Sequence, residues 1–412
     1  MSNHILKNCL CCGNDNLRLV LDLGVQPPAN SYTRTSSEKV DEFPLGLNVC
    51  GRCWHAQLSF CVDRQEIFDR YAYVSGTSVT LNRFFKWFAA SLAARLPTGA
   101  RVLELAANDG SLIKEMQAAG LECFGVDPAR NIVAKAQTEG LPIICGYWPS
   151  SVDQVPGKFD VIVCMNVVAH VDDPKAFIKA CQNKLKPGGV LLIQPSQVRM
   201  FGNHEFDTCY HEHISFFNTR SMSSLATSAG LKLVETAIVS IHGDSPIYML
   251  CCPTAPAKAS LLGAFRDGDF AIPEDLRDYE KNIRLFEWST YEAFCSNANT
   301  VVKSLKAEVA RRRDQGFEVV FVGAAAKAMT VVNAGGIRPD RFLDENPLKI
   351  GLHAPGIGTL IEGLDVCQQM KGPAFFVITA WNFRKELVAK LRSIGVPKGS
   401  LFYSYFPKPE LL

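Results

Sequence analysis

Alternation between apolar and polar positions is clearest in RVLELAANDGSLIKEMQAAGLECFGVDPARN. Four apolar-rich residues, Val102 to Leu105, predict a buried strand, and the i, i+3, i+4 spacing after it predicts a helix from Ser111 to Ala119. A second strand should close at Asp127, before Pro128. FDVIVCMNVVAHVDDP predicts a further strand ending near Asn166, and KLKPGGVLLIQPS a helix end, a Pro-Gly-Gly turn and the next strand. A helix is expected near Leu81 to Leu96, mostly helix over 258–315 closed by Gly316, and a second strand, turn and helix in FEVVFVGAAAKAM. Strands alternating with helices mean α/β architecture, with parallel sheets.

The loop after the first strand limits the ligand. A dinucleotide site needs G-x-G-x-x-G so that pyrophosphate can reach the helix N-terminus. Here the loop is Glu104-Leu105-Ala106-Ala107-Asn108-Asp109-Gly110, with one glycine and two carboxylates. Carboxylates repel pyrophosphate but can receive an ammonium and a sulfonium, and Asp127 can accept from a ribose diol. This order of landmarks, with LKPGGVLLI after the helix, resembles class I (Rossmann-like) S-adenosylmethionine methyltransferases. Glu104, Ala106, Asn108, Asp109, Gly110, Asp127, Pro128 and Asn166 are the candidate cofactor residues.

Composition narrows the setting. In 412 residues, 47% are hydrophobic and 20% charged, with a formal charge of +2. Such a chain can build several cores, and it lacks the basic surface of a nucleic-acid binder. No basic start followed by an apolar run marks a secretory signal, and no apolar stretch is long enough to span a bilayer. The expectation is a cytoplasmic protein, monomer or homodimer, acting on a small molecule.

Two C-x-x-C pairs, Cys9 with Cys12 and Cys50 with Cys53, predict a structural four-cysteine zinc site, since four thiolates leave no open coordination position. Cys11 leaves the register of the first pair open, and Cys61 and His55 are possible substitutes. The 37 residues between Cys12 and Cys50 must form a lobe of their own.

DTCYHEHISFF gathers Tyr210, His211, Glu212 and His213. Alternation along an extended segment would put both imidazoles on one side. A general base fits better than a metal site, because imidazole titrates near neutrality and a neighbouring carboxylate or phenol can orient it. The residues leave His211 and His213 undecided. Lys327, near a predicted helix N-terminus, is a candidate for phosphate.

The paired C-x-x-C knuckles, LDLGVQPPANSY, YAYVSGTS, ANDGSLIKEM, NVVAHVDDP, FDTCYHEHISFF and FVGAAAKAMTVVNAGGI resemble, in order and over essentially the whole chain, the three-domain sugar C-methyltransferases. The resemblance implies a zinc-binding lobe (1–75), a methyltransferase domain (76–255), a helical connector (256–315) and a C-terminal Rossmann-like domain (316–412) enclosing the substrate. It implies that His213 removes a proton α to the ketone of a nucleotide-linked deoxy-keto-sugar, with Tyr210, Glu212, His170 and Tyr73 as partners. It implies S-adenosylmethionine and structural Zn²⁺ as cofactors, and His211, His242, Asp244 and Lys327 are the candidates for contacting the substrate. Ala106 replaces a family glycine, which costs little if its φ stays negative. Asp244 and Ile247 replace a glycine and an arginine in IHGDSPIYML. The competing expectation is a non-sugar, natural-product acceptor methylated at O or N.

Overall fold

The computed structural model describes residues 3–63, 76, 78–195, 197–255 and 260–412. At its centre is an eight-stranded sheet. In spatial order its strands are Ala271–Ile272, Lys232–Val239, Ser245–Cys251, Leu185–Gln194, Phe159–Met165, Arg101–Leu105, Glu122–Asp127 and Ile143–Cys145. The five from Leu185–Gln194 onward run parallel, while Ser245–Cys251 pairs antiparallel with Leu185–Gln194 and with Lys232–Val239. This is the class I methyltransferase arrangement.

Period-two alternation serves both faces of the sheet, as a parallel sheet covered on each side requires. Val102, Val161, Val163, Val190 and Leu192 pack with Phe84, Phe88, Leu112 and Ile113 from helices Val79–Ala93 and Ser111–Ala118. Leu103, Leu105, Ile162, Leu191 and Ile193 pack with Phe177, Ile178, Met222 and Leu225 from helices Pro174–Lys184 and Thr219–Ser228. Gly188, at φ +79°, turns the chain where the register of Leu185–Gln194 shifts between Leu185 and Val190.

The N-terminal residues form an antiparallel sheet in the order Ser215–Phe216, Ala56–Leu58, Phe43–Cys50, Leu17–Gln26. Its edge strand Ser215–Phe216 comes from just beyond the Tyr210–His213 segment. Near the C-terminus, Ile361–Glu362, Arg341–Leu343, Glu318–Val322, Ala374–Ile378 and Leu401–Ser404 make a parallel sheet with Glu410–Leu411 antiparallel at its edge.

The described part of the stretch 258–315 is mostly helical, as its pattern predicts, with one short strand. It holds helices Leu276–Asn282 and Trp288–Asp314 and a short 3₁₀ turn, Leu262–Arg266, while Ala271–Ile272 extends the central sheet. Ile238 and Val239 offer a free sheet edge there, and backbone pairing overrides local preference. Helix Trp288–Asp314 packs between the two flanking sheets, its Phe294, Val301 and Leu305 sharing one cluster with Leu45, Leu47, Phe321 and Phe375.

Candidate active site and metal centre

Cys9, Cys12, Cys50 and Cys53 present their four Sγ atoms within 4.8 Å of one another. The pairs Cys9–Cys53 and Cys12–Cys50 stand 3.5 Å and 3.6 Å apart. Four sulfurs about 2.3 Å from one Zn²⁺ would be about 3.8 Å apart. The donor set therefore fits structural zinc, and the backbone N–H of Arg52 points at Cys50 Sγ, as a knuckle should. Cys11 is left out. Burial pushes its thiol pKa up, so it stays a neutral core thiol.

The cofactor loop stands at the C-terminal end of strand Arg101–Leu105. Glu104 is buried, one carboxylate oxygen lacks a partner among the described residues, and burial together with Asp127 and Asp109 pushes its carboxyl up. Such a trio of carboxylates suits a ligand that carries positive charge. Asp127 Oδ2 accepts from the Asn108 N–H and Oδ1 from the Ala129 N–H, both at 2.8 Å, which leaves lone pairs for a diol. Half-buried Pro128 holds the bend between Asp127 and Ala129. Asp109 caps the following helix through Ser111 and accepts the Gly76 N–H at 3.0 Å. Gly110 has φ +74°, and a Cβ there would lie 2.4 Å from Leu141 Cδ1. Ala106 corrects an expectation. Its φ is +57°, not negative, because the loop must turn back so that Ala107 N–H can reach the Val126 carbonyl. Asn166 (φ +52°) and Gln194 end neighbouring strands, Asn166 N–H on Gln194 O at 2.7 Å. Their Oδ1 and Nε2 are buried without partners among the described residues. The loop and these strand ends fit S-adenosylmethionine.

The Tyr210–His213 segment is a turn, not the extended piece that alternation suggested, since the His213 N–H closes on the Tyr210 carbonyl at 2.8 Å. The two imidazoles consequently part. His211 Nε2 bonds the Phe43 carbonyl at 3.3 Å, deep against the N-terminal sheet, and burial lowers its pKa to about 4. His213 Nδ1 bonds the Thr208 carbonyl at 2.9 Å, so Nδ1 carries the proton and Nε2 accepts from Tyr210 O–H, also at 2.9 Å. Burial, then the His170 and Lys327 charges, hold the His213 pKa well below the usual imidazole value. His170 lies beside it, ring centroids 5.1 Å apart, with Nδ1 on the Glu212 carbonyl at 2.7 Å. Burial lowers His170 as well. Glu212 accepts from Asn30 Nδ2 at 2.5 Å, and burial raises its carboxyl. Neutral imidazoles, a phenol and a carboxyl thus share one buried site. Tyr73 lies outside the described residues.

Of the remaining candidates, Lys327 Nζ is 3.5 Å from Glu205 and 4.7 Å from the Trp381 ring centre. His242 is exposed on a tight loop at φ +52°. Asp244 pairs with Arg199 at 2.9 Å, and Arg199 also holds Glu274 at 2.6 Å. Ile247 is a fully buried strand residue. Sequence reasoning missed Asn30, Asp207, Gln194 and Trp381. Asn30 lies within the quoted PPANSY motif, but only the folded chain brings it to Glu212.

Comparison with known proteins gives the same order of parts. Residues 9–68 match a zinc binding domain family, 80–236 a methyltransferase domain family and 272–407 a C-methyltransferase C-terminal domain family. The chain thus carries, in order, a zinc binding domain, a methyltransferase domain and a C-methyltransferase C-terminal domain. It is an S-adenosylmethionine-dependent methyltransferase with a four-cysteine site for structural zinc. The C-methyltransferase NovU of Streptomyces niveus is 26% identical over 427 residues, 99% of this chain and 97% of that one. A ubiquinone biosynthesis O-methyltransferase of Xanthomonas axonopodis pv. citri (strain 306) is 37% identical over 109 residues, 25% of this chain and 46% of that one. The magnesium protoporphyrin IX methyltransferase (ChlM) from Synechocystis PCC 6803 with bound SAH is similar over 46% of this chain and 93% of that one, at TM-score 0.34 and 17% identity. Among the described residues, no helix of this methyltransferase is long and apolar enough to cross a membrane.

Proposed function

We propose that this enzyme methylates a carbon α to a ketone, most readily on a nucleotide-linked deoxy-keto-sugar, with His213 as the base. One observation carries the reading. The Nδ1–H of His213 is committed to the Thr208 carbonyl, which leaves Nε2 as the proton acceptor of a buried, neutral imidazole. Nε2 takes the α proton, and the electron pair moves onto the ketone oxygen. Tyr210, whose O–H turns away from His213 Nε2 when the acceptor enters, donates to that developing oxyanion, and His170, its own Nδ1–H held by the Glu212 carbonyl, lines the site beside His213. Glu212, tied to Asn30, holds the turn, and its backbone carbonyl fixes His170. Glu104, Asp109, Asp127 and Asn166 would hold S-adenosylmethionine, which when bound would supply an electrophilic methyl group to the enolate carbon, the S–CH₃ bond breaking to leave S-adenosylhomocysteine. Tyr73, Ala106, Asn108, Gly110 and Pro128 complete the proposed site, with His211, His242, Asp244 and Lys327 near the acceptor. The proposed division is a zinc lobe over 1–75, a methyltransferase domain over 76–255, a connector over 256–315 and a C-terminal domain over 316–412.

A second reading, a non-sugar acceptor methylated at O or N, is favoured by the buried Ile247 and by the neutralisation of Asp244 by Arg199. The experiment that separates them is solvent exchange. The zinc-loaded enzyme is incubated in D₂O with a panel of nucleotide-linked 4-keto-sugars, then given S-adenosylmethionine and followed by mass spectrometry. Deuterium α to the ketone followed by gain of one methyl supports the first reading. Tight cofactor binding with neither event on any panel member sinks it.

A further inference from the structure

The segment that orients His213 is gripped on its other side by the C-terminal sheet. Trp381, just past strand Ala374–Ile378, donates its indole N–H to Asp207 Oδ2 at 2.7 Å. Thr330, on the helix after strand Glu318–Val322, reaches the Cys209 carbonyl at 3.3 Å. Lys327, one turn earlier on that helix, sits 3.5 Å from the Glu205 carboxylate and stacks 4.7 Å from the Trp381 ring centre. Glu318–Val322 and Ala374–Ile378 are adjacent and parallel, so all three contacts leave from their C-terminal ends, where open α/β sheets carry their function. They fall on Glu205, Asp207 and Cys209. Between the last two stands Thr208, whose carbonyl accepts the His213 Nδ1–H at 2.9 Å.

Asp207 is fully buried, and Oδ1 has no partner among the described residues. A buried carboxylate with a single hydrogen bond depends on that bond. Without the indole N–H, the segment must rearrange to give the carboxylate another donor, and the Thr208 carbonyl moves with it.

We infer that Trp381 and Asp207 are positioning residues for the base: their hydrogen bond sets the Thr208 carbonyl, which fixes the Nδ1–H tautomer of His213. The C-terminal domain then takes part in proton transfer as well as enclosing the acceptor. The inference rests on the reading of His213 as the base, and its test separates the two.

The test uses full-length, zinc-loaded protein labelled with [¹⁵N]histidine, with S-adenosylhomocysteine present. Long-range ¹H–¹⁵N spectra resolve the tautomers of the eight histidines, and loss of one spin system in His213→Gln assigns its signals. Trp381→Phe keeps an aromatic ring, though a smaller one, beside Lys327 and removes the N–H. The expected result is a mixture of His213 tautomers, at least fivefold richer in Nε2–H than the wild type, with S-adenosylhomocysteine affinity within twofold. α-Proton exchange on the substrate panel should fall about tenfold or more. Asp207→Asn keeps an acceptor oxygen for the indole and should retain the wild-type tautomer. A wild-type tautomer in Trp381→Phe overturns the inference, and so does an Asp207→Asn spectrum scrambled as fully as that of Trp381→Phe. Should Trp381→Phe not fold, Asp207→Ala removes the same hydrogen bond from its acceptor end and is read the same way, an unchanged tautomer again being the overturning result. Full exchange activity in His213→Gln would instead remove His213 as base, whatever the tautomers show.

Discussion

Three side chains define what single substitutions should do. As the proposed base, His213 would act only when neutral. Burial has moved its pKa well below the usual imidazole value, so the active form persists as pH falls and is lost only when pH drops through that lowered value. The acid limb of kcat/KM should therefore lie below about pH 6.5, the unperturbed imidazole pKa. A limb centred at or above pH 6.5 would contradict a desolvated base. Ala106 holds φ +57°, a conformation that costs an L-residue roughly 1–2 kcal/mol, and glycine accepts it freely. Ala106→Gly should raise unfolding free energy by about 0.5–1 kcal/mol once the looser unfolded chain is counted. Chemical denaturation measures this, and a destabilised Gly variant would mean the Cβ is a packing contact. Asp127 organises two backbone N–H groups and keeps lone pairs free for the proposed contact with a ribose diol. Asp127→Ala should weaken S-adenosylmethionine binding by about 1–3 kcal/mol in calorimetry, the cost of leaving polar partners unpaired.

The strands and helices of the central sheet were legible because their cause is local. Val102, Leu103 and Leu105 are buried on two faces, Asn218 caps Thr219–Ser228, and Gly110 turns a loop that no side chain could enter. The zinc ligands were legible too, since two C-x-x-C knuckles need only one lobe to bring them together. What stayed hidden depends on contacts across long separations. Arg199 neutralises Asp244 from 45 positions away, and Trp381 reaches Asp207 across 174. Nor could spacing separate His211 from His213. The turn at Tyr210 sends one imidazole to Phe43 and leaves the other beside His170, and that turn exists because Ser215–Phe216 is anchored to Ala56–Leu58. The anchoring makes the metal centre an indirect support of the base. Phe43–Cys50 ends in a zinc ligand and pairs with Ala56–Leu58, which pairs with the strand two residues past His213. Cys50→Ser should lose zinc by elemental analysis. In whatever fraction remains soluble, methyl transfer should fall more than S-adenosylmethionine affinity, because the cofactor loop belongs to the other sheet. Equal losses would mean that the metal holds both.

The three larger sheets share part of their cores, although one face of the central sheet and one face of the C-terminal sheet each pack into a cluster of their own. One apolar cluster runs from Leu21, Leu45 and Leu47 of the N-terminal sheet through Phe294 and Val301 of helix Trp288–Asp314 to Phe321, Phe375 and Tyr405 of the C-terminal sheet. A second joins the zinc cysteines to Leu103, Ile162, Met222 and Tyr248 on one face of the central sheet. Tyr32 adds a polar tie, its O–H on the Ala324 carbonyl at 2.6 Å, and Lys349 reaches the same carbonyl at 2.8 Å. Independent domains would expose little of one another's surface on unfolding and would melt in steps. Here, removing the N-terminal lobe strips apolar surface from both remaining sheets, at roughly 25 cal/mol for each Å² newly exposed to water. The expected behaviour is therefore one dominant thermal transition. Zinc release, tryptophan fluorescence and far-ultraviolet circular dichroism should share a midpoint, and all three should shift down together when a chelator removes the metal. Five tryptophans report on this. Trp54 lies against Trp288 and Tyr291 where the zinc lobe meets the long helix, while Trp381 sits at the Asp207 contact. Zinc release well below the fluorescence midpoint would show that the lobe opens by itself, and that the shared cluster is a contact between stable parts and not a common core.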